Sequence, residues 1–579
     1  MVTSHADVIV ERPWTARGQS VSVDDKRKPN VKSTTTPLWI FVVLVVLSLP
    51  FRISHLEEPF RGEHEFRQTQ TAMGVWEIRE HGISLLHPKL PLFGPPWECP
   101  MEYPVFQLAA AAVDALAPWK SLDVSIRVTS LAFFYLSAAA LYLLARLLFA
   151  GPAEALFTTA VFLFSPYNIF WSRTSLIEYA ATFFALAYLV AFIRWTSCPT
   201  RGLFLLCLCF GVSGCLTKIT TFILPLCTAG TLAGLRVLQL LRRLPGTSRE
   251  SRAGNCSAVP CSGALPRENP RPLPRTLYVL LLACLLIGPV LAGDYYVKYG
   301  DKIKQQSPYT GWLSSSHPYM KAWNYGTSTQ RSSLFHWSML VGRMRGTVMS
   351  SLTAAMLLGL CYLPFGIRGF ENLPGGNVWM GISLAAAPFA AILLIFNLYW
   401  VHTYYLIACA PILALWTGVG LGLVHSLIRT RLIHLCFLAL LCALWLRTLS
   451  PQAAELCWTA PVDPRVSYLS EASKFIGQND PVIVVTRHEW SAFEPYYLKR
   501  RAFMAMLLDK PVDLRPLTET DYFKQSGFHW LLLENGEPRM TELANAIMKR
   551  WKHATGVPVP VRNVPYTLYR LSDEDAAPN

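Results

Sequence analysis

Charge is what this chain has least of. Of its 579 residues only 15% are Asp, Glu, Lys or Arg, against 52% hydrophobic, and the mean hydropathy is +0.31. An ordinary soluble domain has about a quarter of its residues charged, so a soluble globular protein is excluded. The 14 cysteines fall mostly inside apolar runs, as Cys207, Cys209, Cys215 and Cys436 do. No spacing among them makes a zinc site or a disulfide framework, and they read as small packing residues. No small-residue cleavage site follows the first apolar run at 38–51, so that run reads as an uncleaved first helix. Internal repeats are also missing, which argues against repeat-built transporters. Acidic residues are outnumbered, with a formal net charge of +15. Much of that surplus sits in the N-terminal tail and in short inter-helix loops, where membrane orientation and phospholipid contact account for it, and no nucleic-acid partner is expected.

What remains is apolar sequence in lengths suited to a bilayer. Runs at 37–52, 124–149, 153–171, 174–195, 203–218, 219–241, 274–294, 346–366, 376–398, 403–425 and 431–449 suggest about eleven crossings. The stretch 103–118 is bounded by prolines and interrupted by Asp114, and is expected to lie in the outer interface. Lys26, Arg27, Lys28 and Lys32 flank the first run and place the N-terminus in the cytoplasm. Arg242, Arg243, Arg368, Arg429 and Arg431 then fall on that same side only if 103–118 does not cross. The division expected is a basic tail at 1–36, an all-α membrane bundle at 37–450 containing a Pro-rich cytoplasmic linker at 243–273, and a small α/β domain outside the cytoplasm at 451–579. In that last part, 481–486 (PVIVVT), 529–534 (HWLLLE) and 566–571 (YTLYRL) read as buried strands. Met540, Leu543, Ala544, Ile547, Met548 and Trp551 follow a helical period.

This orientation gathers the polar clusters on the outer face. After the first helix, residues 62–72 read GEHEFRQTQTA, with Glu63, His64, Glu65 and Arg67 close together. Ionisable groups at the mouth of an apolar bundle are costly to desolvate and usually persist only where they bind or react; the bland reading is an interfacial helix whose polar side faces water. The segment 99–107, CPMEYPVFQ, holds Glu102 and Tyr103 ahead of a proline-started helix, where Glu102 could merely cap. Glu178, in WSRTSLIE at 171–178, lies about one turn into an apolar helix, with Arg173 as a neutralising partner. Lys218, in GCLTKITT at 214–221, is the only charge in a long apolar stretch; a snorkelling lysine is the bland reading, a lipid phosphate the functional one. His402, Tyr404 and Tyr405, in HTYY at 402–405, start another helix, or form an aromatic belt.

In this order, the acidic first-loop motif, the Glu-Tyr-Pro helix, the Arg and Glu of the next outer turn, the Leu-Thr-Lys turn and the His-x-Tyr-Tyr helix start resemble the polyprenyl-phosphate-sugar-dependent glycosyltransferases of the GT-C class. Within that class the chain resembles the group that includes the protein O-mannosyltransferases and the aminoarabinose transferase of lipid A. The resemblance implies transfer of a single sugar from a lipid-linked phosphate to a glycan, lipid or protein acceptor outside the cytoplasm. It also implies a first-loop carboxylate as base or acceptor-orienting group: Glu65 or its neighbours Glu63 and His64. The family often has Asp-Glu where this chain has His64-Glu65, so the base stays open among the three. The chemistry asks for the same parts on its own: a base near the acceptor hydroxyl, and cations (Arg67, Arg173 and Lys218) on the leaving phosphate. Glu102, Tyr103, Glu178, His402, Tyr404 and Tyr405 are the expected substrate contacts. Phosphate leaves readily, so no cofactor is required; an optional divalent ion would take His64, Glu102 and Glu178. The competing readings are a flippase or transporter of lipid-linked sugars and a polymerase or ligase of surface polysaccharide.

Overall fold

The computed structural model describes residues 35–54, 56–117, 121–242, 273–457, 463–487, 490–505 and 515–573. Most of the basic tail and nearly all of the linker expected from the sequence lie outside those residues. Among the described residues, eight helices are long and apolar enough to cross a membrane: Thr36–Ile53, Leu122–Leu148, Glu178–Ser197, Arg201–Arg242, Arg275–Lys304, Gly376–Leu394, Ala410–Leu427 and Arg431–Thr448. A ninth candidate is a bent pair, Leu334–Thr347 and Ser350–Gly366, whose limbs meet at 97°. The chain is thus a multi-pass membrane protein, with fewer full-length helices than the eleven apolar runs suggest.

The difference has local causes. The run at 153–171 yields only Pro152–Phe164, 13 residues, because Ser165 adopts an extended conformation and Pro166 opens a separate short helix, Pro166–Trp171. A residue before proline is pushed out of the helical region, and proline cannot donate to the preceding turn. The runs at 203–218 and 219–241 form one helical stretch, broken at Lys218, whose φ of −164° and ψ of 96° are extended backbone. In an unbroken helix eight residues span about 12 Å, yet a Cβ placed on Gly214 would lie 3.1 Å from the Phe222 ring. The two limbs therefore turn back sharply at Lys218. The stretch at 103–118 becomes Val105–Leu116, 12 residues, too short to span.

Small residues let the bundle close. A Cβ on Gly359 would sit 1.7 Å from the Trp416 carbonyl oxygen, and one on Gly420 would sit 2.0 Å from that of Ala355. The helices Thr353–Gly366 and Ala410–Leu427 therefore touch backbone to backbone, the packing that glycine permits where apolar burial cannot drive association. Arg52, fully buried at the C-terminal end of the first helix, is satisfied by Ser172 Oγ at 3.0 Å, the Ser48 carbonyl at 3.0 Å and the Phe134 ring at 4.3 Å.

Outside the bundle, five strands form one sheet in the order β2-β1-β3-β5-β4. They are β1 (Val482–Val485), β2 (Ala502–Met504), β3 (Trp530–Glu534), β4 (His553–Val557) and β5 (Tyr566–Ser572). β1 pairs in parallel with both β2 and β3, whereas β5 runs antiparallel to β3 and β4. β1 and β3 are wholly buried, as their unbroken apolar runs require. The amphipathic pattern at 540–551 gives helix Pro538–Met548. The core of the sheet continues into the membrane part. Val482, Ile483, Leu531 and Phe503 belong to one apolar cluster with Phe60, Met73, Trp76, Leu92 and Phe93 of the segment that follows the first membrane helix. That segment also extends the sheet: Phe93 bridges antiparallel to Phe503, and the Ala502 and Met504 amides donate to the Pro91 and Leu92 carbonyls at 3.0 and 2.9 Å.

Candidate functional site

The site is organised along helix Glu65–His81, called the rim helix below. Its entry is a tight turn through Gly62 (φ 87°) and His64 (φ 55°). The first costs nothing for glycine; the second costs about 1–3 kcal/mol for a residue with a Cβ. The strained backbone delivers the His64 ring into a wall formed by Tyr404, His402 and Trp171, with centroids 4.9, 5.2 and 6.1 Å away. His64 Nε2 lies 3.2 Å from Thr403 Oγ1, and that hydroxyl donates to Glu63 Oε2 at 2.9 Å. One proton relay, imidazole N–H to hydroxyl to carboxylate, joins the three. Burial lowers the His64 pKa below the ordinary value, against the opposing pull of Glu63 and Glu178.

Two ion pairs, one half-buried and one buried, lie beside this turn. Arg67 donates to Glu102 Oε1 and, at 3.1 Å, to Gln70 Oε1. Burial would depress the Arg67 pKa, but the Glu102 charge, with Tyr404 and Glu178, outweighs it and the net direction is upward. Lys218 donates to Glu178 Oε1, and its ammonium lies 4.1 Å from the Tyr405 ring centroid and 5.1 Å from that of Tyr404. The break in the helix carries Lys218 to this position, and Glu178 is the first residue of its own helix, where the positive helix end favours a carboxylate. Glu178 Oε2 and His402 Nδ1 are buried without a hydrogen-bond partner among the described residues. Burial first, then the charges of His64, Lys218 and Arg67, push His402 down to about 3, so its imidazole stays neutral throughout the physiological range.

The structure thus brings together Glu63, His64, Arg67, Glu102, Glu178, Lys218, His402, Tyr404 and Tyr405. Four expectations come out differently. Glu65 turns away and is gripped by Arg465, with both carboxylate oxygens 3.2 Å from the guanidinium. Arg173 does not neutralise Glu178, since Lys218 does; Arg173 lines a separate hollow of about 460 Å³ with Arg61, Arg127 and Gln68. Tyr103 is part of the wall, its amide donating to the Leu216 carbonyl at 3.1 Å and its ring 5.3 Å from that of Tyr296. Nor does Glu102 cap the helix that follows it, which starts at Val105 without a side-chain cap.

The trio suggested for a divalent ion does not fit one. Glu102 and Glu178 are each already bonded to a cation, and among the described residues no group of three or more His, Cys, Asp or Glu side chains is placed to hold a metal. Open space flanks the ion pairs instead. A cleft of about 620 Å³ runs from Arg67 and Glu102 along the rim helix past Thr71 and Gly74. One turn inward from Glu178, a narrow apolar hollow is lined by Thr182, Leu186, Leu189 and Leu224.

Two participants were invisible to motif reading. Thr403 sits inside the HTYY segment but gains its role only through the fold. Arg465 meets Glu65 across 400 residues of sequence, and its only local signal is the helix start after Asp463, whose side chain caps the Arg465 amide at 2.9 Å.

No family model matches the chain, and no curated protein sequence matches it. Solved structures do resemble it in fold. ArnT from Cupriavidus metallidurans bound to undecaprenyl phosphate aligns with a TM-score of 0.54 at 12% identity, over 92% of this chain and 98% of that one. The archaeal oligosaccharyltransferase AglB from Archaeoglobus fulgidus, in complex with an inhibitory peptide and a dolichol-phosphate, gives 0.53 at 11% identity, over 90% and 72%. Arabinofuranosyltransferase AftD from Mycobacteria gives 0.51 at 12% identity, over 94% of this chain but 40% of that larger one. All three are GT-C glycosyltransferases, and the fold is theirs.

Proposed function

We propose that this chain is a membrane glycosyltransferase that moves one sugar from a polyprenyl-phosphate donor to an acceptor outside the cytoplasm, with 37–450 as the transferring part and 451–579 as an outer cap. The observation that carries the reading is the convergence of the Arg67–Glu102 and Lys218–Glu178 pairs with His64 and His402, above an apolar hollow and beside an open cleft. An ammonium has three donors and a guanidinium five, so Lys218 and Arg67 can keep their carboxylates and still hold a leaving phosphate. The GT-C fold, and the lipid phosphates held by ArnT and AglB, support a lipid-linked donor.

In the reaction proposed, the acceptor oxygen attacks the anomeric carbon from the face opposite the phosphate. The carbon–oxygen bond to phosphate breaks, polyprenyl phosphate leaves with the electron pair, and configuration inverts. The acceptor proton passes to the Glu63–Thr403–His64 relay, because Glu65, held by Arg465, is poorly disposed to take it. Glu178 Oε2, buried and without a partner among the described residues, suits a sugar hydroxyl or the positive charge developing at the anomeric centre.

The test uses purified protein, radiolabelled polyprenyl-phosphate sugars and release of polyprenyl phosphate. Glu63→Gln and Lys218→Met should each reduce turnover by about a hundredfold or more, with Glu65→Gln retaining far more. Full turnover in Glu63→Gln with loss in Glu65→Gln would return the base to Glu65. Activity confined to diphosphate donors would favour a polymerase or ligase.

A further inference from the structure

A hollow of about 1120 Å³ lies at the other end of the rim helix, walled by Trp76 and Arg79, by Asp123 at the start of helix Leu122–Leu148, and by Gln478, Lys499 and Arg500 of the outer cap. Nine residues of helix from Arg67 to Trp76 separate it from the ion pairs by about 14 Å. Its charged side chains are committed, with one exception. Arg79 reaches Asp114 at 3.4 Å and Glu80 at 3.5 Å. Asp123 accepts from the Tyr496 hydroxyl, and Arg500 donates to the Gly477, Ser473 and Ile476 carbonyls at 2.7, 3.0 and 2.6 Å.

Lys499 is the exception. Its ammonium sits 3.4 Å above the Tyr496 ring centroid, and among the described residues no carboxylate lies within ion-pair distance of it. The backbone there is left-handed, φ 53°, a conformation that a lysine adopts only at a cost. Lys499 lines the hollow from this turn. Burial pushes its pKa down to about 8, with Arg79 adding to the effect and Asp123, Glu80 and Asp114 opposing it. A cation held in a strained turn without a counter-ion, at the wall of a space far larger than an inorganic ion needs, is suited to a larger anionic ligand. Trp76 and Tyr497 give the hollow an aromatic floor, and Gln478, Ser121 and Glu80 line it with hydroxyl-binding groups.

We infer that this hollow binds a saccharide carrying a phosphate or carboxylate, with Lys499 contacting the anionic group. Resting on the transfer reaction proposed above, the site would hold a distal, charged part of the acceptor while the attacking hydroxyl lies near His64.

The experiment is calorimetric titration of the purified full chain in nanodiscs with glucose 6-phosphate, glucuronate, glucose and inorganic phosphate. Glucose 6-phosphate and glucuronate should bind more tightly than glucose or phosphate. Lys499→Met should weaken the anionic sugars about tenfold while leaving glucose unchanged, and Lys499→Arg should restore most of the loss. Lys499→Gly, which suits the left-handed turn, serves as the variant that removes the ammonium without a folding penalty. Equal binding by wild type and Lys499→Gly would overturn the site, as would no binding of either anionic sugar, or inorganic phosphate binding as tightly as glucose 6-phosphate. Donor turnover is measured separately. Its failure alongside Lys499-dependent binding would count against the transferase reading and not against the site.

Discussion

Glu494 isolates what burial does to a single group. It is 0% exposed, one oxygen accepts the Tyr566 hydroxyl at 3.1 Å, and the other has no partner among the described residues. Burial pushes its pKa up to about 7, with the charges of Glu534 and Glu65 adding to the effect and the Tyr566 hydrogen bond opposing it. In the unfolded chain the same carboxyl would lose its proton near its ordinary value of about 4.3. Between there and about 7 the folded chain holds a proton that the unfolded chain has released, so stability from this group is complete at low pH and falls as pH rises through the window. Thermal denaturation at pH 5 and pH 8 should therefore show a larger loss on the alkaline side for wild type than for Glu494→Gln. Parallel losses would mean that Glu494 is ionised in the fold.

At the scale of the element, the rim helix is held by the cap along its length. Arg465 grips Glu65, the Trp490 carbonyl accepts from Gln70 Nε2 at 3.0 Å, and Arg501 pairs with Glu77, its Nε at 3.1 Å from the carboxylate. The polar face of this helix is therefore buried, with Gln68, Thr69, Gln70, Thr71 and Glu77 all inside. That rules out a helix with its polar side in water. Arg501→Gln would leave a buried carboxylate with only His81, at 3.2 Å, and should cost about 3 kcal/mol. The double variant Glu77→Gln/Arg501→Gln should recover much of that cost in denaturation experiments; additive losses would mean that the pair is not coupled. The sequence marked a helix with polar residues after Glu63, although His64, at φ 55°, stands before its first turn. It could not show what covers them, because partners such as Arg465 and Arg501 lie hundreds of residues away and carry no local pattern.

For the whole molecule, the apolar runs were legible as a bundle, and the two strongest strand patterns became the buried β1 and β3. The edge strands β2 and β4 were not, since AFM and HATGV are short or exposed and lack alternation. The candidate site was legible as a list of residues but not as pairs: composition marked Glu178 and Lys218, and only the fold joined them. Sidedness is the remaining expectation, and it is open to a direct check. In a cysteine-free background, Ser316→Cys in the outer loop should react with an impermeant thiol reagent on intact cells, whereas Asn372→Cys, beside Arg368, should react only after permeabilisation. The reverse result would move the ion pairs to the cytoplasmic face. The pairing of Pro91–Phe93 with β2 also sets an order of events during synthesis. A segment made early, before most of the membrane helices exist, is needed to finish the edge of a sheet that emerges only near the end of translation. Until then the loop must wait with these backbone groups unmatched, and a ribosome that stops before residue 502 would leave the Pro91 and Leu92 carbonyls without the strand that covers them.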